Sequence, residues 1–324
     1  MPNIVTHTLF ADDVLGLLDA PELNSRRQLF EVGSNGPDIL FFHHMNPKSV
    51  LKKTPLHHMG SVLHEEYTND FYASALDSIR KEKNPQIRED MIAYTAGHLC
   101  HWALDSTAHP YIFCRTGNCK GQSASDHHRF ESILDSLMLK LKRDETIRDY
   151  DVAEAVCRTS PEIKRAVARI YVPALNAIFE TGIQPHEIAE TLDDWHFMQK
   201  VFHDPSGKKI RMARHLEKLI GRPNQFSGFA VPSQPEDNYD IMNLLHRTWH
   251  NPQSGEACDR DFLMLYDEAI GKAVTAIHLF LNACAEVHSK EAEKEFLGYL
   301  NNRNYESGLP EFGELEHFDL VDLS

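Results

Sequence analysis

Gly97-His98-Leu99-Cys100-His101-Trp102-Ala103-Leu104-Asp105-Ser106-Thr107-Ala108-His109-Pro110 is the stretch from which the rest of the chain is read. Its apolar positions follow helical spacing, not strand alternation. Residues three and four apart share a helix face, so His98, His101, Asp105 and His109 make one polar stripe beside Leu99, Trp102 and Ala103. Imidazoles and a carboxylate inside an apolar helix are costly to bury unless something satisfies them. A divalent cation does so: zinc accepts imidazole nitrogen and carboxylate oxygen, and a His-x3-Asp pair on one helix reaches a single ion. Taken alone, such a pair is more often a surface ion pair or a hydrogen-bonded core group.

The helical pattern extends in both directions. Thr6 can cap a helix to about Leu18, with Asp12 and Asp13 in its early turns. Ile39 to Phe42 reads as a buried loop after Gly36-Pro37. A long helix is expected from Leu56 to Lys81. Asn84-Pro85 then opens the helix that carries the stripe, Asn84 as N-cap and Pro85 as first helical residue; the pattern runs to about Thr107, with Pro110 as its limit. A loop over 114–125 precedes a helix capped by Ser125 or Asp126 and reaching about Leu141. Further helices are predicted near 160–181, 184–203, 209–220, 236–248 and 260–287. The fold class is therefore all-α: one multi-helix domain over 1–303 and an acidic tail over 304–324, where six acidic residues follow the last basic one, Arg303.

Histidine is crowded toward the N-terminal side, with eleven of 20 at or before His128. His127 and Glu131 are i,i+4 at a helix start. His57 and His64 are seven apart on one face. Asp38 lies on the Gly36-Pro37 turn, and His7 on the first helix. The formal net charge of −15 argues against a nucleic-acid binder held by a basic surface, so no stable nucleic-acid complex is expected. It leaves open phosphodiester chemistry in which metal ions supply local positive charge. The six cysteines form no CxxC pair and read as reduced thiols; with no export signal and no membrane-length apolar run, the expected location is the cytoplasm.

The order of these elements over residues 1–180 resembles the zinc-dependent phospholipase C family, relatives of bacterial phosphatidylcholine-hydrolysing phospholipases and, more remotely, of P1-type nucleases. The resemblance implies an all-α protein with two or three zinc ions in one cleft. It implies metal ligation by His7, Asp38, His64, His101, Asp105, His109, His127 and Glu131, with His57 or His58 as alternatives to His64. Asp38 resembles the carboxylate given the role of general base, and Asp105 resembles one that bridges two metals. Secreted members also use a processed N-terminal residue; here Met1 or Pro2 stands close before His7.

The activity implied is that of a zinc-dependent phosphoric ester hydrolase, in which zinc-activated water attacks the phosphorus of a phospholipid or related phosphodiester. The alternatives are a P1-type nuclease or nucleotidase, and a non-catalytic zinc-stabilised helical scaffold. An HD-type phosphohydrolase ranks low, because the one His-Asp dipeptide, His203-Asp204, lies far from the cluster. Phe42, Tyr67, Trp102 and Tyr111 are candidates for the mouth of the site, though core packing suits most of them better. The segment 208–220 is a basic amphipathic helix that could make transient contact with a membrane surface, or simply be solvated.

Overall fold

Helix α1 (Ile4–Leu17) leads through α2 (Pro21–Asn24) and α3 (Arg27–Gly33) into a 3-10 helix, Gly36–Phe42. α4 (Leu56–Glu65) and α5 (Thr68–Lys81) precede the 32-residue α6 (Pro85–Thr116). Then come α7 (Gln122–Arg143), α8 (Val152–Ala155), α9 (Pro161–Phe179), α10 (Pro185–Phe202), α11 (Lys208–Ile220) and a 3-10 turn, Ser227–Phe229. A two-residue ladder pairs β1 (Trp249–His250) antiparallel with β2 (Ala257–Cys258), Trp249 opposite Cys258. α12 (Phe262–Cys284) and α13 (Lys290–Leu300) close the element order. This computed structural model describes residues 4–235, 239–285 and 290–323. The fold is all-α and forms one domain around α6, which packs against α1, α3, α7, α9 and α12.

α6 starts as its sequence dictates. The Asn84 side chain accepts from the N–H groups of Gln86 and Ile87 at 3.0 and 3.3 Å, and Pro85 occupies the first turn. It does not stop at Pro110. The ring removes one donor in the i→i−4 ladder and leaves the Ser106 carbonyl without it. Gly308 packs against that carbonyl so closely that a Cβ there would lie 2.2 Å from Ser106 O. The helix continues to Thr116 and ends at Gly117.

Other expectations need correcting. The 56–81 helix is two helices, because Tyr67 at the junction is left-handed, with φ 64°. α7 starts at Gln122, so Ser125 and Asp126 lie inside it. Thr6 does not cap α1; the helix begins at Ile4, and its first turn is capped by Asp135 of α7. Residues 39–42 form the end of a 3-10 helix. The predicted helix 236–248 is absent over its described part, 239–248, where Asp240, Asn243 and His246 all have positive φ. Residues 236–238, and 286–287 at the end of the expected 260–287 helix, lie outside the described residues. All six cysteines are free.

Residues 304–323 contain neither helix nor strand, yet they lie along the protein. Tyr305 is buried and its N–H donates to His64 O at 2.8 Å. Farther on, Asp319 and Val321 donate to the carbonyls of Cys114 and Arg115, and Asp319 pairs with the Arg115 guanidinium.

Candidate metal centre

Two glycines set the geometry around α6. A Cβ at Gly33 would lie 2.2 Å from Tyr94 O, and one at Gly97 would lie 2.0 Å from Phe30 O. α3 and α6 therefore cross in backbone contact, which bulkier residues would prevent. The chain leaves α3, turns at Gly36 with φ 50°, and enters the 3-10 helix carrying Asp38 directly over His101. Opposite, Asp135 of α7 accepts from Val5 N–H, Thr6 N–H and the Thr6 hydroxyl at 3.2, 2.8 and 2.6 Å. That long-range cap satisfies first-turn donors of α1 and docks His7 onto the cluster.

The structure brings all eight sequence-predicted residues together in three neighbouring groups, two of which share His101. In each, the donor atoms lie within 4.8 Å of one another: His7, His101 and Asp105; Asp38, His64 and His101; and His109, His127 and Glu131. His7 Nε2 is 3.1 Å from Asp105 Oδ1, and His101 Nε2 is 3.0 Å from Asp105 Oδ2. His64 Nε2 is 3.0 Å from Asp38 Oδ1. His109 Nε2 and His127 Nε2 approach Glu131 Oε1 at 3.4 and 3.2 Å. His109 Nδ1 is also 3.6 Å from Asp105 Oδ2, so α6 links the groups. Every one of these side chains is buried.

Zinc fits this donor set. Asp38 Oδ1, His64 Nε2, His101 Nε2, Asp105 Oδ2, His127 Nε2 and both Glu131 oxygens are buried without a hydrogen-bond partner among the described residues, although nitrogens and oxygens approach each other closely. Such groups cost free energy unless something satisfies them. Two donors about 2.0–2.1 Å from one tetrahedral ion are roughly 3.4 Å apart, near the separations found here. The far side of most rings is held. Nδ1 of His64, His101 and His109 donates to the carbonyls of Gly60, Ser34 and Tyr305 at 2.7, 3.2 and 3.0 Å. Thr116 spends its hydroxyl proton on Ile112 O, so its oxygen accepts from His127 Nδ1 at 3.0 Å. Each of those contacts leaves the Nε2 lone pair facing the carboxylates, the arrangement that orients and strengthens a metal ligand.

The electrostatics favour the ligating forms of the acids. Burial opposes ionisation of Asp105, but His101, His109 and His7 overcome it and hold the carboxyl well below the usual range. Glu131 is likewise lowered against burial by His127 and His109. Asp38 is lowered to about 2, with burial outweighed by contributions that include His101 and His64. His109 is pushed up to about 9 against burial by Asp105 and Glu131, so cation binding there competes with a proton.

Several histidines stand apart from the centre. His98, on the sequence stripe, has Tyr72 Oη 2.8 Å from Nδ1 and Tyr171 Oη 3.1 Å from Nε2, which leaves no nitrogen for an ion. His57 Nε2 donates to His43 O at 2.7 Å, and His58 is exposed, so His64 alone of the three alternatives faces Asp38. Asp204 of the His203-Asp204 dipeptide accepts from Ile210 N–H at 2.9 Å at the start of α11, a structural duty. Trp102 and Tyr111 are core residues; Phe42 is buried but borders the cavity; Tyr67 is half-exposed and packs on Phe179.

A cavity of about 970 Å³ borders the cluster at His64. Phe41, Phe42, Phe113 and Phe229 line it, with Glu65, Glu306 and Glu314 among the polar groups. Phe113 also packs on the rings of His127 and His109. The C-terminal segment supplies Glu306 and residues 312–316 of the wall. Sequence reasoning missed this contribution, together with the Ser34, Gly60 and Tyr305 carbonyls, because a backbone acceptor leaves no residue-type signal.

The zinc dependent phospholipase C family matches this chain over residues 6–180. The chain belongs to that family, which places it among zinc-dependent phosphoester hydrolases. The match includes all eight residues. Comparison with curated proteins finds no match, and comparison with solved structures finds none. No helix among the described residues is long and apolar enough to cross a membrane.

Proposed function

We propose that the chain hydrolyses the phosphoester bond of a phospholipid or related phosphodiester at a centre of two or three zinc ions. The observation that carries the proposal is the convergence of three donor groups, two of them sharing His101, built on α1, the 3-10 helix, α4, α6 and α7, beside an aromatic cavity. His7, Asp38, His64, His101, Asp105, His109, His127 and Glu131 would hold the ions. Bound zinc supplies Lewis acidity, which acidifies water and neutralises charge on the phosphoryl oxygens.

The protein groups then have definite tasks. Asp105 turns one oxygen to His7 and the other to His101, so it suits a bridging position. Asp38, ionised and with Oδ1 free of hydrogen bonds, orients water and takes its proton. Phe41, Phe42, Phe113 and Phe229 exclude solvent around the reacting ester. The lining, with Glu65, Glu306, Glu314 and Glu316 against Lys52 and Lys120, and the net charge of −15 disfavour a polyanionic strand and suit a phosphodiester with a neutral or cationic head group.

α11 supports a lipid substrate. Lys208, Lys209, Arg211 and Lys218 accompany the exposed Met212, Leu216, Leu219 and Ile220, a combination suited to an anionic bilayer surface. Glu217, the buried acid on this helix, accepts from the Phe226 and Ser227 N–H groups and the Ser227 hydroxyl. That ties α11 to the turn whose Phe229 lines the cavity. The test is hydrolysis of a chromogenic phosphocholine ester against single-stranded DNA, each with and without chelator. Chelator-sensitive turnover of the ester supports the proposal. Turnover of DNA alone would point to the nuclease alternative, and bound zinc with no turnover of either substrate to the scaffold.

A further inference from the structure

We propose a separate divalent-cation site formed by His43, His44 and Glu190, which ties one wall of the cavity to α10. His43 and His44 follow the 3-10 helix, and Glu190 lies in the second turn of α10. Glu190 Oε2 is 3.9 Å from His43 Nε2 and 4.0 Å from His44 Nε2, and the three donor atoms lie within 4.8 Å of one another. These separations exceed hydrogen bonds. Two ligands of one zinc ion, each about 2.0–2.1 Å from it, stand up to roughly 4 Å apart when their angle is wide. Glu190 is half-exposed, which leaves its carboxylate free to adjust toward the two imidazoles.

The histidines are prepared for such an ion. His43 is only 1% exposed, and its Nε2 is buried with no hydrogen-bond partner among the described residues. Its Nδ1 is 2.6 Å from the Thr54 hydroxyl, which fixes the ring and leaves Nε2 as the ligating atom. Burial, then the neighbouring His44, lowers the His43 pKa, against Asp194, Glu187 and Glu190, in the direction that favours the neutral imidazole. His44 adopts a left-handed φ of 62°, and its ring stacks on His43 with centroids 3.8 Å apart, so binding requires the His44 ring to turn until its Nε2 faces the same ion. The strained conformation is held from α10: Asp194, one turn beyond Glu190, accepts from His44 N–H at 2.7 Å and from the Asn46 side chain. The ligand set, two imidazoles and one carboxylate, suits zinc and leaves at least one position for water.

His44 also lines the cavity beside Phe41, Phe42 and Met45. An ion at this site therefore joins the 43–54 loop to α10 and stiffens the cavity wall. With three protein ligands and an exposed carboxylate, it binds more weakly and exchanges faster than the buried centre.

Calorimetric titration of chelator-stripped protein with zinc tests it, comparing wild type with Glu190→Gln and His44→Ala. Wild type is expected to show one weaker binding event beyond the tight ones. Both variants should lose at least tenfold in that affinity and keep the tight events. Hydrogen exchange in residues 43–54 should slow with zinc in wild type but not in Glu190→Gln, a carboxamide replacement that preserves side-chain size. A wild-type isotherm without the weaker event, or a weaker event unchanged in both variants, overturns the proposal.

Discussion

Gly36 lies against the imidazole of His101: a Cβ at Gly36 would fall 2.2 Å from His101 Cδ2. The same residue has φ 50°, and its carbonyl accepts from the Tyr171 hydroxyl at 2.8 Å. The turn that delivers Asp38 is thus shaped around the ring that belongs to two donor groups. Gly36→Ala would combine left-handed strain of about 1–2 kcal/mol with displacement of the ring. The variant should melt several degrees lower and bind zinc more weakly. Calorimetric melting and metal analysis check this; unchanged values in both would show that the turn does not position His101.

The long-range cap gives stability a defined pH dependence. Burial raises the Asp135 pKa to about 7 against the donors of Thr6 and Val5. An unfolded chain would titrate near the ordinary value of about 4. Between these limits the folded state keeps a proton that the unfolded state has released, so stability from this group falls as pH rises from about 4 to about 7. Asp135→Asn removes the titration while retaining an acceptor. The melting temperature of wild type relative to Asp135→Asn should decline across that window; parallel curves would contradict the sign.

The final segment should matter to the centre although it lies beyond the family match. Tyr305 places its ring 5.3 Å from that of His64 and 5.6 Å from that of His101, and its carbonyl accepts from His109. Tyr305→Ala is expected to cost about 3–5 kcal/mol, the usual range for a buried aromatic, and to loosen zinc. Denaturant melts in the presence and absence of chelator separate the two effects. Equal losses in both conditions would make Tyr305 a packing residue alone.

A fourth expectation concerns α11. Replacing Met212, Leu216 and Leu219 with Ser should leave hydrolysis of a soluble ester unchanged and reduce cosedimentation with phosphatidylglycerol vesicles at least tenfold. Undiminished vesicle binding would remove α11 from the substrate path.

Much of this architecture was legible in the sequence because it is carried by local spacing. Asn84-Pro85 marks the start of α6, and the i,i+4 pairs His101/Asp105 and His127/Glu131 place two ligands on one face wherever a helix forms. What failed depended on partners distant in sequence. Pro110 signals a stop, but Gly308 packs at the freed carbonyl and α6 continues. Tyr67 looks like helix until its left-handed backbone separates α4 from α5. Residues 239–248 have helical composition, but Asn243 side-chain bonds to the Arg247 and Arg260 carbonyls serve turns instead. His98 shares a stripe with His101, yet Tyr72 and Tyr171 occupy both its nitrogens. No helical wheel distinguishes a satisfied core histidine from a ligand.

The most direct test is elemental analysis of Glu131→Ala beside wild type after identical purification. Glu131 faces both His109 and His127, and neither of its oxygens has a hydrogen-bond partner among the described residues. Wild type should carry two or three zinc ions, and the variant about one fewer, with circular dichroism unchanged in its helical bands. Equal zinc in the two proteins would contradict a metal centre at these residues.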